Sequence, residues 1–294
     1  MPSPSFDYAA PKTLPEALGL LEKGGEGAKV IAGGQSLIPL LKLRLASPTL
    51  LVDINRIGGL DYIRESGGFL RIGALTRMAE VGSSELLQKK YPILHDASIV
   101  IADPLVRNLG TVGGNISHGD PANDLPAVML ALGAEFVATG PSGERRVRAE
   151  EFFQDTFAVA LERNEILTEI RVPIPAPRSG GSYLKFEQKV ADFASAAVAV
   201  QLTLDSKGEC ESVGVGLTAV GPTAIKARQA EESMKGRKPT DREAVKGFAR
   251  LAAEAADPVS DIRGTAAYKR ELVRMLVTRA LKTAYGRARQ GGAR

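Results

Sequence analysis

Two stretches of small and polar residues have the make-up of a site for a charged ligand. The first to consider is Val106-Arg107-Asn108-Leu109-Gly110-Thr111-Val112-Gly113-Gly114-Asn115-Ile116. Gly110, Gly113 and Gly114 lack Cβ atoms, so positive φ is cheap and successive N–H groups can face one way. Thr111 and Asn115 add a hydroxyl and an amide at the edges. The stretch reads as a loop that lets backbone approach a ligand, and a concave row of N–H groups suits phosphate. The second, Val30-Ile31-Ala32-Gly33-Gly34-Gln35-Ser36, follows a strand-like run and opens into Leu37-Ile38-Pro39-Leu40-Leu41-Lys42-Leu43. Proline is tolerated in the first helical turn, which puts a helix N-terminus beside these glycines. Helix N-terminus and free N–H groups together make an anion site. A single Gly-Gly is ordinarily a turn. Two stretches of the same design, about eighty residues apart, point to one ligand with more than one phosphate, held from both sides.

Other chemistries have weaker support. Asp120 and Asp124 flank Pro121-Ala122-Asn123, close to His118. The group invites a metal or acid–base reading, but Asp-Pro and Asn-Asp are turn residues and local turn bonding is the simpler account. No G-x-S-x-G elbow and no separated Cys–His–Asp set is visible, so covalent catalysis has no basis. A Rossmann fingerprint needs G-x-G-x-x-G, whereas the glycines here are adjacent, and no P-loop pattern occurs. Gly214-Val215-Gly216 lies in a run that alternates at period two and reads as a strand.

Composition narrows the class. The 294 residues are 44% hydrophobic and 24% charged, with 31 Gly and 17 Pro, an ordinary globular balance with room for two or three cores. The net charge of +4 is mild. The basic residues cluster only at the end (Arg287, Arg289, Arg294), and no aromatic residues interleave with them, so nucleic acid is not indicated. One cysteine, Cys210, cannot build an iron–sulfur cluster within the chain, and two histidines, His95 and His118, cannot close a typical zinc site alone. The cysteine usage fits a reducing cytoplasm. The start lacks a signal-peptide pattern, and no run approaches the ~18 apolar residues of a membrane span.

The elements that must position the glycine stretches follow from periodicity. Thr13 to Glu22 reads as a capped amphipathic helix, with Ala17, Leu18 and Leu21 on one face. Lys29–Ala32, the helix after Ser36 and the strand Leu50–Ile54 form a small βαβ unit with parallel pairing. Tyr62-Ile63 and Phe69–Ile72 form a hairpin around Gly67-Gly68. Thr76 caps a short helix through Val81. A helix from Pro92 to Ala102 delivers the chain to the central glycine stretch. Ala134–Ala138, Arg145–Arg148 and Leu167–Pro173 are strands. Pro173, Pro175, Pro177 and Gly180-Gly181 mark the clearest linker. Beyond it lie three strands, Ser182–Glu187, Ala194–Leu204 and Cys210–Val220, then helices over Thr223–Lys235, Asp241–Ala256 and Ala267–Arg287. The chain is α+β.

Ala32-Gly33-Gly34-Gln35-Ser36 and Thr111-Val112-Gly113-Gly114-Asn115 resemble the two flavin-binding signatures in the medium subunits of molybdenum hydroxylases, among them the carbon monoxide dehydrogenase and xanthine dehydrogenase types. The resemblance runs from Phe6-Asp7-Tyr8 to Ser260-Asp261-Ile262-Arg263-Gly264. It implies a two-part FAD-binding domain of the vanillyl-alcohol-oxidase (PCMH) type over residues 1–177, with subdomains of about 1–57 and 58–177. A C-terminal domain, a three-stranded antiparallel sheet plus helices, follows over 178–294.

By the same resemblance FAD is held by Ala32, Gly33, Gly34, Gln35, Ser36 and Leu37 and by Gly110, Thr111, Gly113, Gly114 and Asn115. Asp124 bonds the flavin's polar chain (otherwise a turn bond). Ile101 and Ala102 contact the adenine side, and Leu167 lies near the isoalloxazine; each is otherwise core. Lys185 sits near the ring (otherwise a solvated strand edge). Phe193 stands where relatives often have tyrosine, so only ring packing remains there. The implied role is an oxidoreductase subunit that takes electrons from [2Fe–2S] clusters of a small subunit, fed by a large molybdopterin subunit, in a cytoplasmic dimer of heterotrimers. A stand-alone flavin oxidoreductase and a non-catalytic scaffold are the competing readings. The resemblance further suggests an assembly surface at Asp261, Arg263 and Tyr268-Lys269-Arg270.

Overall fold

The structure, a computed structural model, describes residues 4–291. The chain opens with β1 (Asp7–Ala9), α1 (Leu14–Gly24), β2 (Ala28–Ile31), α2 (Leu37–Lys42) and β3 (Leu50–Asp53). Thr13 caps α1 in a reciprocal box with Glu16, which satisfies two N–H groups that the first turn leaves free. Both β1 and β2 pair parallel to β3, with Tyr8 opposite Leu51 and Val30 opposite Val52. The expected βαβ unit is present. Ala17, Leu18 and Leu21 of α1 pack with Val52 and Ile54 beneath it.

The next layer is larger. Strands β4 (Ile63–Ser66) and β5 (Phe69–Gly73) form the expected hairpin, with Gly67 and Gly68 at φ 61° and 82° in its turn. Helices α3 (Met78–Ser83), α4 (Glu85–Lys90), α5 (Pro92–Ile99), α6 (Pro104–Leu109), α7 (Val112–His118) and α8 (Asp124–Leu132) follow. Then come β6 (Glu135–Gly140), β7 (Gly143–Arg148), α9 (Ala149–Phe152), the short pair β8 (Phe153–Asp155) and β9 (Ala158–Val159), and β10 (Ile166–Pro173). The antiparallel sheet runs β4-β5-β10-β6-β7. Its Leu70, Ile72, Phe136, Ile170 and Val172 share one core with Ile93, Ile116, Leu125 and Met129 of the helices.

Three expectations fail here for identifiable reasons. Residues 106–116 are two helices joined at Gly110-Thr111, because side chains cap both: the Asp103 carboxylate accepts the Val106 N–H at 2.9 Å, and the Thr111 hydroxyl accepts that of Gly114 at 3.1 Å. Thr76 does not cap α3, which starts at Met78; its hydroxyl donates instead to the Tyr62 carbonyl at 3.1 Å. Helix α5 ends at Ile99, and Ala102 turns left-handed at φ 44°.

Past the proline-rich connection, β11 (Ser179–Glu187), β12 (Ala194–Leu204), β13 (Cys210–Thr218) and β14 (Ile225–Lys226) form an antiparallel sheet in that order. The two-residue β14 adds to the three expected strands and takes the start of the first expected helix. Hence α10 spans Arg228–Met234, before α11 (Arg242–Ala255) and α12 (Ala266–Gly291). Strand β12 is mostly apolar because both its faces are covered. Ala197 and Ala199 join the helices of the preceding layer, while Val198, Val200 and Leu202 pack with Phe248, Val273 and Val277.

Gly214 and Gly216 are packing glycines. A Cβ at Gly216 would lie 1.9 Å from the Ala127 carbonyl oxygen, and one at Gly214 2.0 Å from that of Ala131. The backbone of α8 lies directly on β13 as a result. We expect Gly216→Ala to destabilise the fold by about 1–3 kcal/mol through overpacking. Gly58→Ala, where a Cβ meets nothing within 4 Å, should change stability by less than about 0.5 kcal/mol. Urea unfolding of both variants is the check, and equal midpoints would contradict the packing account.

Candidate functional site

The first glycine stretch lies between β2 and α2. No partner exists among the described residues for the N–H groups of Gly33, Gly34, Gln35, Ser36 and Leu37. Of the glycines in the two stretches, only Gly34 has positive φ, at 74°. Helix α2 is six residues long, so the row of loop N–H groups, more than a macrodipole, makes this segment suited to an anion.

The second stretch differs from the expectation. Four of its N–H groups are already engaged: Gly110 with the Val106 carbonyl at 2.7 Å, Val112 with Thr76 at 2.9 Å, Gly113 with Ala74 at 2.8 Å and Gly114 with Thr111; that of Thr111 has no partner among the described residues. Its glycines serve close packing. A Cβ at Gly113 would meet that of Ala74 at 2.6 Å, and a Cβ on Gly33 would come within 2.2 Å of the Leu109 carbonyl oxygen and 2.8 Å of Gly110 Cα. The two stretches therefore touch, backbone to backbone. Asn115 contributes a different feature. Its Oδ1 is buried with no hydrogen-bond partner among the described residues, a costly arrangement that a ligand donor would relieve. A free N–H row and an orphaned amide oxygen on adjoining segments both fit a polar, phosphate-bearing cofactor.

The remaining residues of the sequence-derived site connect to this core. The Asn115 carbonyl accepts from Asn123 Nδ2 at 2.7 Å, next to Asp124 at the start of α8. Asp124 is buried and turned inward; the Tyr183 hydroxyl donates to its Oδ1 at 2.5 Å, and Lys185 Nζ lies 3.4 Å from both carboxylate oxygens. Lys185 is not a solvated edge residue: its side chain is 3% exposed. It also donates to the Val100 carbonyl at 3.1 Å, beside Ile101 and Ala102. Arg107 holds those two in place by donating to their carbonyls at 3.0 and 2.9 Å, offsetting the roughly 1–2 kcal/mol cost of a left-handed alanine.

Leu167 is core, next to a β-bulge at Thr168. The Thr168 carbonyl accepts from Ala74, whose own carbonyl accepts from Gly113, so the bulge sets the height of α7. Phe193 is half exposed on the β11–β12 connection. The Arg263 guanidinium sits 6.0 Å from its ring centroid and pairs with Asp192 at 2.9 Å. That connection is tethered toward Lys185 through Glu187, which accepts the Ala191 N–H at 3.3 Å and lies 3.3 Å from Lys185 Nζ.

The acid–base reading of His118 and Asp120 gives way to a turn. Asp120 Oδ1 accepts the Ala122 N–H at 2.8 Å, and no three metal-binding side chains converge among the described residues. Of the suggested assembly surface, Lys269 is buried against Asp261 at 2.7 Å, while Tyr268 stays exposed. Sequence reading missed Tyr183, Arg107, Asn55 and Arg77. Tyr183, Lys185 and Glu187 alternate at period two on one strand, a signal that was available.

Burial pushes the Asp124 carboxyl up to about 6, against the opposing pull of the Lys185 ammonium and the Tyr183 hydroxyl. Burial, together with the Asp124 carboxylate, also raises the Tyr183 phenol well above its ordinary value. A carboxyl raised in the folded state contributes stability that is full below its unfolded value, near 3.9, and is lost as pH rises through about 6. We expect the stability of the parent relative to Asp124→Asn to grow by about 2 kcal/mol as pH falls from 7 to 4. Chemical denaturation across that range measures it, and a pH-independent difference would count against the assignment.

Comparison with known proteins identifies the family and the fold. Residues 4–175 match the FAD binding domain in molybdopterin dehydrogenase, and residues 181–284 the CO dehydrogenase flavoprotein C-terminal domain. The carbon monoxide dehydrogenase medium chain of Afipia carboxidovorans is 43% identical over 97% of this chain and 98% of its own length. A glyceraldehyde dehydrogenase medium chain of Sulfolobus acidocaldarius is 38% identical, over 95% and 98%. A solved carbon monoxide dehydrogenase from Hydrogenophaga pseudoflava superposes with a TM-score of 0.94 at 44% identity, over 98% and 99% of the two chains. Quinoline 2-oxidoreductase from Pseudomonas putida 86 does so with 0.91 at 32%, over the whole of both. The chain belongs to the molybdopterin-dehydrogenase FAD-binding family and carries the flavoprotein C-terminal domain behind it.

Proposed function

We propose that this chain is the FAD-binding electron-transfer subunit of a molybdenum-containing hydroxylase or dehydrogenase. The observation that carries the reading is the run of five N–H groups, Gly33 to Leu37, without partners among the described residues. Five adjacent donors at a backbone-to-backbone seam suit a diphosphate better than a neutral group. The rest of the site divides by chemistry. Ala32, Gly33, Gly34, Gln35, Ser36 and Leu37 hold phosphate oxygens. Gly110, Thr111, Gly113, Gly114 and Asn115 form the facing wall, with the Asn115 amide oxygen as an acceptor. Asp124 offers a carboxylate to hydroxyls of the polar chain, Ile101 and Ala102 line the adenine side, and Leu167, Lys185 and Phe193 stand on the ring side.

When bound, FAD supplies redox chemistry that can join one-electron donors to a two-electron acceptor. The protein orients the cofactor and holds the Lys185 cation, fixed by Asp124, Glu187 and Val100, on the ring side. Relatives are named as medium chains and as subunits of complexes, which supports a division of labour. The large molybdopterin subunit and the small [2Fe–2S] subunit supply the other centres, and the assembly is a cytoplasmic dimer of heterotrimers. Among the described residues no helix is long and apolar enough to cross a membrane. We assign residues 1–177 to flavin binding, in two parts of about 1–57 and 58–177, and 178–294 to the second domain.

Two measurements test this reading. The isolated chain should bind FAD at least about tenfold more tightly than FMN, because one phosphate cannot use the whole row of N–H groups from Gly33 to Leu37; equal affinities would refute it. The FAD-loaded chain alone should reduce an artificial dye with candidate substrates no faster than background, and turnover should appear only with both partner chains. Robust turnover by the lone chain would favour a stand-alone oxidase.

A further inference from the structure

Side chains that belong to neither glycine stretch tie the two together. Asn55, just past β3, donates from Nδ2 to the Ala32 carbonyl at 2.8 Å, and its Oδ1 accepts from Arg77 at 2.8 Å. The same guanidinium donates through its other terminal nitrogen to the Leu109 carbonyl. That carbonyl oxygen is the atom a Cβ on Gly33 would strike. The contacts close a ring: Ala32, Gly33, Leu109, Arg77, Asn55 and back to Ala32.

The ring is braced from behind. Asn55 gives its backbone N–H and a second amide hydrogen to Asp53 Oδ1 at 2.9 and 2.6 Å, and the Tyr8 hydroxyl donates to Asp53 Oδ2 at 2.5 Å. Partial burial pushes the Asp53 carboxyl up, but bonds from Tyr8 and Asn55 outweigh it and hold the group below the usual carboxylate range. Arg77 is half-buried and has no carboxylate within ion-pair distance among the described residues. The Glu80 carboxylate takes its backbone N–H at 3.0 Å, not its guanidinium. An arginine fork bonded only to two uncharged oxygens is placed for its geometry, which a flexible ammonium could not reproduce. Asn55 is solvent-exposed, and exposed bonds of this type add little to folding. Their effect lies in the separation of the two stretches, since Ala32 belongs to one and Leu109 to the other.

We propose that Arg77, acting through Asn55, is a positioning residue that holds the Leu109–Gly110 wall at a fixed distance from the N–H row of Gly33 to Leu37 and so sets the preference of that row for a ligand with two phosphates over one with a single phosphate. This inference rests on the FAD-binding reading above.

The test is titration of the full chain with FAD and with FMN for the parent, Arg77→Met, Arg77→Lys, Asn55→Ala and the Asn55→Ala/Arg77→Met double variant. FAD affinity should fall about tenfold or more in Arg77→Met and in Asn55→Ala, with Arg77→Lys between them and the parent. The double variant should be no worse than the weaker single one, because the two act as a unit. FMN affinity should stay within about twofold, or stay undetectable, and the melting temperature without ligand within about 2 °C. Arg77→Met binding FAD within twofold of the parent, equal losses for FAD and FMN, or additive losses in the double variant would each overturn the proposal. Should Arg77→Met fail to fold, the exposed Asn55→Ala decides the same question. A parent chain that does not bind FAD would overturn the functional reading as well; a parent that binds with unaffected variants overturns only the clamp.

Discussion

The close passage of Gly33 over the Leu109 carbonyl is the constraint on which the site depends. At 2.2 Å from a virtual Cβ, no side chain of any size fits, and two backbones from different layers meet without an intermediary. The small parallel sheet brings one strand end to this point, and the capped helix α6 brings the other. Around it the two glycine stretches take unequal parts. The first leaves its N–H groups without partners among the described residues, while the second turns four of its own inward, to Val106, Thr76, Ala74 and Thr111, and becomes the rigid wall. In the wall Gly113 serves fit against Ala74, so it is a packing residue of the fold. A valine there would press on Ala74 before it met any ligand. At Gly34 the nearest obstruction is the flexible end of Ile38.

Much of the scaffold was legible in the sequence because its signals are local. Thr13 with Glu16, the Gly67-Gly68 turn, the alternation in β13 and the proline-rich connection each report on neighbours within a few residues. The misreadings share a cause. Residues 106–116 looked like a loop because glycine lowers helix propensity by about 1 kcal/mol, yet Asp103 and Thr111 cap the helices, and Ala74 lies too close for a side chain at Gly113. The helix expected from Thr223 lost its first residues to β14, whose partner in β13 lies on another element. At the site, the glycine stretches and Asp124 were visible as motifs. Asn55 and Arg77 were not, because what they touch is the carbonyl of a residue 23 or 32 positions away, and a carbonyl carries no sequence signature.

The buried group around Asp124 shows a second dependence. Its partners Tyr183 and Lys185 come from β11, the first strand of the C-terminal sheet, although Asp124 itself opens a helix of the preceding layer. Strand β11 is clamped on both faces. A Cβ at Gly180 would lie 2.3 Å from the Ala284 carbonyl oxygen of α12, and one at Gly181 would lie 2.9 Å from Ile93 Cβ of α5. Arg287 of α12 closes the arrangement, bonding the Gly181 carbonyl and Asp96 at 2.6 Å each, and Asp96 in turn accepts the Tyr183 N–H at 3.3 Å.

This geometry bears on how independent the two domains are. The family boundary falls between residues 175 and 181, and the chain there reads as a linker. Yet cutting at that point would strip Asp124 of its ammonium and phenol partners while leaving it on α8, itself seated on Gly214 and Gly216 of β13. The α8 helix would lose the surface it lies on, leaving its apolar residues open to water. The Asn123 carbonyl, which accepts from Thr218 at 2.7 Å, would lose its donor in the same cut, loosening the residue that holds the Asn115 carbonyl. The route from the C-terminal sheet to the wall of the glycine site is thus short: Thr218, Asn123, Asn115. The C-terminal domain forms part of the support for the site, and the linker-like composition marks a change of layer more than a separation of function.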